Sequence, residues 1–106
     1  MKWDLEVDER AATELRTFPA DIRARIFRVG QLLTEFGPQN VGLPHVRYLR
    51  HKIWEMRASG KDGIGRALYF TAEGRRIVIL SAFVKKTQKT PERELAKALK
   101  RMLDNG

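Results

Sequence analysis

The chain has 106 residues, with 21 Lys and Arg against 13 Asp and Glu, a formal charge of +8 and no cysteine. That length is expected to form one small domain, residues 1–106, and the missing thiols exclude a disulfide scaffold, a thiol nucleophile and a Cys-ligated metal. With 42% hydrophobic residues the chain is expected to be globular; His45 and His51 are its only histidines, so neither a metal nor another cofactor is expected. No apolar run approaches the roughly 20 residues that cross a bilayer, and the opening MKWDLEVDER holds more acid than base. The expectation is a cytoplasmic protein without a leader or membrane contact.

In chain order, Trp3 to Val7 suits an edge strand, and Asp8-Glu9 opens a helix reaching Thr17. Pro19 fits the first turn of a second helix. Ile22, Ile26, Val29, Leu33 and Phe36 then recur at intervals of four and three, one apolar stripe on a helix of about 17 residues that Gly37-Pro38 ends. Arg23, Arg25 and Arg28 fall mostly off that stripe and read as solvated face.

A Gly/Pro/Asn-rich connection follows over 37–44, after which the period changes to two. Lys52 to Arg57 is strand-compatible, 58–63 (ASGKDG) reads as a turn, Ile64 to Thr71 as a strand, 72–74 as a turn and Arg75 to Val84 as a third strand. Short turns predict an antiparallel meander. Thr90 offers an N-cap, Pro91 the first helical position, and Leu95, Leu99 and Met102 a buried stripe ending near Leu103. The expected class is α+β, with helices covering one face of a small, mainly antiparallel sheet. GKDGIG (60–65) lacks the strand-to-helix setting of a phosphate loop and reads as a hairpin turn.

Charge is unevenly spread. Residues 1–44 carry six basic and seven acidic side chains, whereas 45–106 carry fifteen and six, so one surface should attract polyanions. The densest signal is AFVKKTQKTPERE, 82–94, where Lys85, Lys86 and Lys89 stand between a strand end and a helix start, beside Thr87, Gln88 and Thr90. Arg66 lies within a strand, sharing a face with Ile64, Leu68 and Phe70, while Tyr69 shares the other with Gly65 and Ala67. A charge there needs a partner, and Glu55 is available to Arg66 or to Arg57. The alternative is that these arginines join the lysines in one concave basic surface on an uncovered sheet face, with Tyr69 or Phe83 free to stack a base of single-stranded RNA. Trp3 and Trp54 read as anchors between helices and sheet.

Residues 43–102 resemble the HigB-like branch of the RelE toxin superfamily of bacterial and phage toxin–antitoxin operons. The likeness is carried by IWEMR (53–57), the Arg66 to Tyr69 segment RALY and FVKKTQKTP (83–91) before an amphipathic helix; residues 1–42 supply the helical hairpin that such toxins place before their sheet. The resemblance implies a RelE-like fold and a metal-independent endoribonuclease, an mRNA interferase that enters the ribosomal A site and inhibits translation by cleaving mRNA. By position it implies that Arg66, Lys85 and Lys86 stabilise phosphoryl charge, with proton transfer falling to Tyr69, Lys85 or a ribosomal group. Arg57, Lys89, Thr87, Gln88 and Arg93 are the implied RNA-binding residues. A cognate helix-turn-helix antitoxin is implied as partner, with operator DNA reached only through that complex. The alternative is a noncatalytic RNA- or protein-binding domain of the same fold.

Overall fold

The acidic side chain of Asp8 accepts a 2.8 Å bond from the Arg10 N–H and starts helix α1, Glu9–Arg16, just after the short strand β1, Asp4–Val7. Helix α2, Ala20–Phe36, follows Pro19 and stops at Gly37, whose φ of 87° ends the helical path. A 3₁₀ turn over Pro38–Asn40 leads to β2 (Val46–Arg50), β3 (Ile53–Gly60), β4 (Gly63–Ala72), β5 (Arg76–Lys85) and helix α3 (Glu92–Asn105). These elements belong to a computed structural model that describes residues 2–105. Among the described residues no helix is long and apolar enough to cross a membrane.

The five strands form one mixed sheet in the order β1-β5-β4-β3-β2, antiparallel except for β1 beside β5. Two differences from the sequence expectation concern its strands and turns. Strand β2 is hidden from the periodicity, because it turns into β3 through His51 and Lys52 rather than through Gly or Asn. Both residues take positive φ, 55° and 69°, the conformation that a two-residue hairpin of right-handed twist demands. The Tyr48 hydroxyl steadies this turn by accepting from the Lys52 N–H at 3.1 Å. The expected 58–63 turn is only Lys61-Asp62, since pairing continues to Gly60 opposite Gly63.

The helices cover both faces, not one. Ile22, Ile26, Val29 and Leu33 of α2 join Ala11 and Leu15 of α1 over Met56, Ala67, Ile77 and Ile79. Phe36, expected at the end of this stripe, is 59% exposed, because the helix ends there beyond the sheet's cover. Gly65 lets α2 settle closely: a Cβ there would lie 2.2 Å from Ile22 Cγ2. On the opposite face Leu95 and Ala98 of α3 pack over Ile53, Leu68, Phe70, Val78 and Leu80, with Leu99 and Met102 at the margin. An extra residue in β5, Leu80, lies between the pairs Leu68–Ser81 and Tyr69–Ile79 and shifts the alternation of the strand.

Glu14 ties three elements together. It accepts from the Ala82 N–H at 3.0 Å, from Lys97 Nζ at 3.0 Å and from Arg101 Nη1 at 2.8 Å. Burial raises its pKa, but the bonds from Arg101, Lys97 and the Ala82 N–H outweigh that effect and leave the carboxyl below its ordinary value. A depressed folded-state pKa contributes stability that is present above the unfolded value and lost as pH falls through the folded one. Unfolding free energy is therefore expected to fall below about pH 4, and Glu14→Gln to flatten that decline, as read by urea titrations at several pH values. An unchanged slope in the variant contradicts the assignment.

Candidate nucleic-acid interface

On the α3 side of the sheet, register sets Arg47 opposite Glu55 and Arg57 opposite Arg66. Glu55 is fully buried there. Its Oε1 accepts from Arg57 Nε at 2.7 Å and faces Arg47 Nε at 3.5 Å, and its Oε2 accepts from the Thr90 hydroxyl. Of the two pairings left open by the sequence, Glu55 thus takes Arg57, with Arg47 added. Thr90 commits its hydroxyl to this carboxylate rather than capping α3, and the Pro91 carbonyl instead accepts from the Glu94 and Leu95 N–H groups.

Arg66 is also fully buried, without a hydrogen bond to Glu55. Its guanidinium donates to the Thr87 carbonyl and, at 3.2 Å, to the Lys89 carbonyl, and lies 5.8 Å from the Phe83 ring centroid. Its Nε is buried and unpartnered among the described residues. Burial, reinforced by the Arg57 and Arg47 charges against the pull of Glu55, lowers its pKa, but a guanidinium so far above neutrality stays charged. Arg57 completes the strap by donating to the Gln88 side-chain oxygen at 2.9 Å and to its carbonyl.

Arg57 and Arg66, gathered with Arg47 around one carboxylate, therefore grip the backbone over 87–89. The grip turns the neighbouring side chains outward. Lys86, Lys89 and Arg93 are exposed and Lys85 is half-buried; none of the four side chains has a hydrogen bond or ion pair among the described residues, and Thr87 and Gln88 are exposed between them. Cations left free on a fixed backbone suit phosphate contacts, because no acid competes for them. The expected uncovered sheet face is absent, since α3 and the 87–90 segment lie over it, and Phe83 is only 8% exposed beneath Arg66.

Tyr69 is not brought to this place. It packs among the α1 and α2 residues on the other side of the sheet, fully buried, its hydroxyl unpartnered among the described residues and its pKa raised by burial well above the ordinary phenol. Neither aromatic ring is thus available to stack a base. Trp54, read as an anchor, is 36% exposed and meets Tyr48 edge to face at 5.1 Å, whereas Trp3 does pack against the α1 and α2 core. Among the described residues no group of three or more His, Asp or Glu side chains could hold a metal ion. What sequence reasoning missed is on α2: Arg25 and Arg28 face a cleft that also exposes Arg57 and Gln88. Their displacement from the apolar stripe is visible in the sequence, but their nearness to Arg57 is not.

Residues 13–103 match the family described as Phage derived protein Gp49-like (DUF891). The chain belongs to this Gp49-like family. A comparison with curated proteins gives no match. The Gp49-like chain is similar in structure to the free state of a double arginine-to-alanine mutant of the Escherichia coli toxin RelE, with TM-score 0.72 and 18% identity, covering 96% of this chain and 99% of that one. It is also similar to the toxin–antitoxin complex RelBE2 from Mycobacterium tuberculosis, with TM-score 0.59 and 18% identity over 80% of this chain and 100% of that one. The archaeal RelE–RelB complex from Pyrococcus horikoshii gives TM-score 0.57 and 18% identity over 84% and 100%. The Gp49-like chain therefore has the RelE-like α+β fold.

Proposed function

We propose that this Gp49-like protein is the toxin of a type II toxin–antitoxin system, from the HigB-like branch of the RelE superfamily, and cleaves mRNA bound in the ribosomal A site. The observation that carries the reading is the cationic set Lys85, Lys86, Lys89 and Arg93, whose side chains have no hydrogen bond or ion pair among the described residues and which flank or belong to a segment that the buried arginines hold at residues 87–89 on a RelE-like fold. In the proposed reaction the 2′-oxygen of one nucleotide attacks the adjacent phosphorus and loses its proton. The P–O5′ bond breaks, and the departing oxygen takes a proton, leaving a cyclic phosphate and a 5′-OH.

Lys85 and Lys86 stabilise the phosphoryl charge in this reading, and Lys89, Arg93, Thr87 and Gln88 hold the flanking strand. Arg57 and Arg66 set the position of that segment from beneath. Arg66 itself reaches a phosphate only when the Thr87 and Lys89 carbonyls release it. The partners proposed are a cognate helix-turn-helix antitoxin, the ribosome with its mRNA and, through the antitoxin alone, operator DNA. Two of the similar structures are toxin–antitoxin complexes, which supports the first of these. The proposed setting is cytoplasmic, and no metal takes part in the chemical step.

A second reading, a noncatalytic RNA-binding domain, is favoured by one observation: the phenol nearest in sequence to Arg66, Tyr69, is buried across the sheet, and burial holds its hydroxyl protonated, out of reach of a strand bound at the lysines. Purified protein added to translating ribosomes, followed by sequencing of message ends, separates the two. Cleavage with 5′-OH ends, suppressed by the product of the adjacent reading frame, is expected; binding without cleavage selects the second reading. Lys85→Ala/Lys86→Ala/Lys89→Ala is expected to keep wild-type melting behaviour and to reduce the salt slope of RNA binding by about 0.7 for each phosphate that is no longer neutralised. An unchanged slope removes these lysines from the interface.

A further inference from the structure

A second concavity lies at the other edge of the Arg57 side chain, between α2 and the start of β2. Its volume is about 430 Å³. Arg25 and Arg28, one turn of α2 apart, form one wall; His45, at the entry to β2, and Arg57 form the other. Val29, Leu32, Ala58 and Ile64 contribute apolar surface between them. Among the described residues no carboxylate lines the cleft. Neither His45 nor the two α2 arginines carry a task that the sequence alone assigns, and the fold brings them together across about 20 residues of chain.

The walls are built rather than incidental. The Arg57 N–H donates to the His45 carbonyl at 2.8 Å, extending the β2–β3 ladder and placing His45 beside the strand that carries Arg57. Arg25 donates one N–H to the Ser59 carbonyl, which draws α2 toward the end of β3 and leaves the remaining N–H groups of that guanidinium for another acceptor. Arg28 is exposed and its side chain has no hydrogen bond or ion pair among the described residues, and the His45 ring is exposed as well. Gln88, held by Arg57, stands at the boundary between this cleft and the Lys85–Lys89 segment, so the two cationic surfaces are continuous.

We infer that this cleft is a nucleotide subsite, which takes one nucleotide of a single-stranded RNA with its phosphate against Arg25, Arg28 and His45 and its base against Val29 and Leu32. The inference rests on the RNA-directed reading above and adds to it a second contact region. Guanidinium groups present paired N–H donors to phosphate oxygens, and an imidazole supplies at least one N–H in either protonation state. The apolar strip gives a base a dry surface that an inorganic anion does not use. Charge complementarity and continuity with the lysine segment favour a polyphosphate strand over an acidic peptide.

The test uses the full-length chain and a fluorescently labelled hexaribonucleotide, with an abasic oligomer of the same length and an oligoglutamate peptide as further probes. Arg25→Ala/Arg28→Ala is expected to weaken hexaribonucleotide binding by roughly tenfold or more and to lower the salt slope by about 0.7 for each phosphate no longer neutralised. The charge-matched Arg16→Ala/Lys100→Ala, whose side chains are exposed and away from the cleft, is expected to stay within about twofold of wild type, because surface charge alone acts weakly. Leu32→Ser should weaken the hexaribonucleotide and leave the abasic oligomer unaffected. Thermal unfolding confirms that each variant is folded.

If Arg25→Ala/Arg28→Ala matches its charge control while the triple lysine variant loses affinity, the subsite is wrong and the RNA reading survives. If the arginine pair controls binding but ribosome-dependent cleavage is absent, the subsite stands and the nuclease reading fails. Loss of oligoglutamate binding with RNA binding intact makes the cleft a protein-docking surface and overturns the inference. So does wild-type protein that binds neither RNA probe.

Discussion

Glu55→Ala is expected to lower the unfolding free energy by about 3–5 kcal/mol, the range for removing one partner from a buried ion pair. Among the described residues Glu55 is the only acidic group bonded within the arginine cluster, and it answers Arg57 at 2.7 Å, Arg47 at 3.5 Å and the Thr90 hydroxyl at once. Without it, three guanidiniums repel one another at a place where Arg66 is fully buried and Arg57 largely so. Glu55→Gln keeps the shape and an acceptor but no charge, and should fall between wild type and Ala. Urea unfolding followed by tryptophan fluorescence measures both.

A double-mutant cycle with Arg57→Met separates this effect from simple loss of packing. Once Arg57 is apolar the carboxylate has less to neutralise, so the two losses should not add. Amide exchange over 87–90 should quicken in Glu55→Ala, because Thr90 and the Arg57 grip on Gln88 are released together. Additive losses, or a Glu55→Ala cost below about 1 kcal/mol, mean that the carbonyls of 87–89 hold the arginines without Glu55.

Ile26→Ala is expected to cost about 2–5 kcal/mol, a large part of the roughly 5–15 kcal/mol that stabilises a small domain. Ile26 is fully buried at the middle of α2, among α1 residues and the sheet. Phe36→Ala, at the end of the same sequence stripe, should cost less than about 0.5 kcal/mol because its ring is 59% exposed. Chemical denaturation of the two variants side by side checks the position at which the helix leaves the core. Any fall in activity of Ile26→Ala should follow the unfolded fraction and recover at lower temperature. Equal costs for the two substitutions contradict the burial described above.

Period along the chain is enough to locate α1, α2, α3 and the β3–β4–β5 meander, because each depends on neighbours three, four or two residues away and on turn residues such as Gly63 and Gly74. The concentration of cations after residue 44 is equally plain, as charge needs no fold to be counted. Strand β2 is not legible, because His51 and Lys52 turn the chain without a glycine and both of its faces carry mixed side chains. The side on which α3 packs is not legible either, since β5 is apolar on both faces and alternation cannot rank them.

For the candidate site the division is sharper. Residue type and position point to Arg57, Arg66 and the lysines. Alternation already sets Tyr69 on the strand face opposite Arg66; only tertiary structure decided that Arg66 faces backbone carbonyls, that Glu55 answers Arg57, and that Arg25 and Arg28 stand beside Arg57. The reason is physical: periodicity is a property of adjacent residues, whereas the groups that meet a buried charge are brought to it by helix docking and by the return of residues 87–90 over strand positions 21 to 35 residues earlier in the chain.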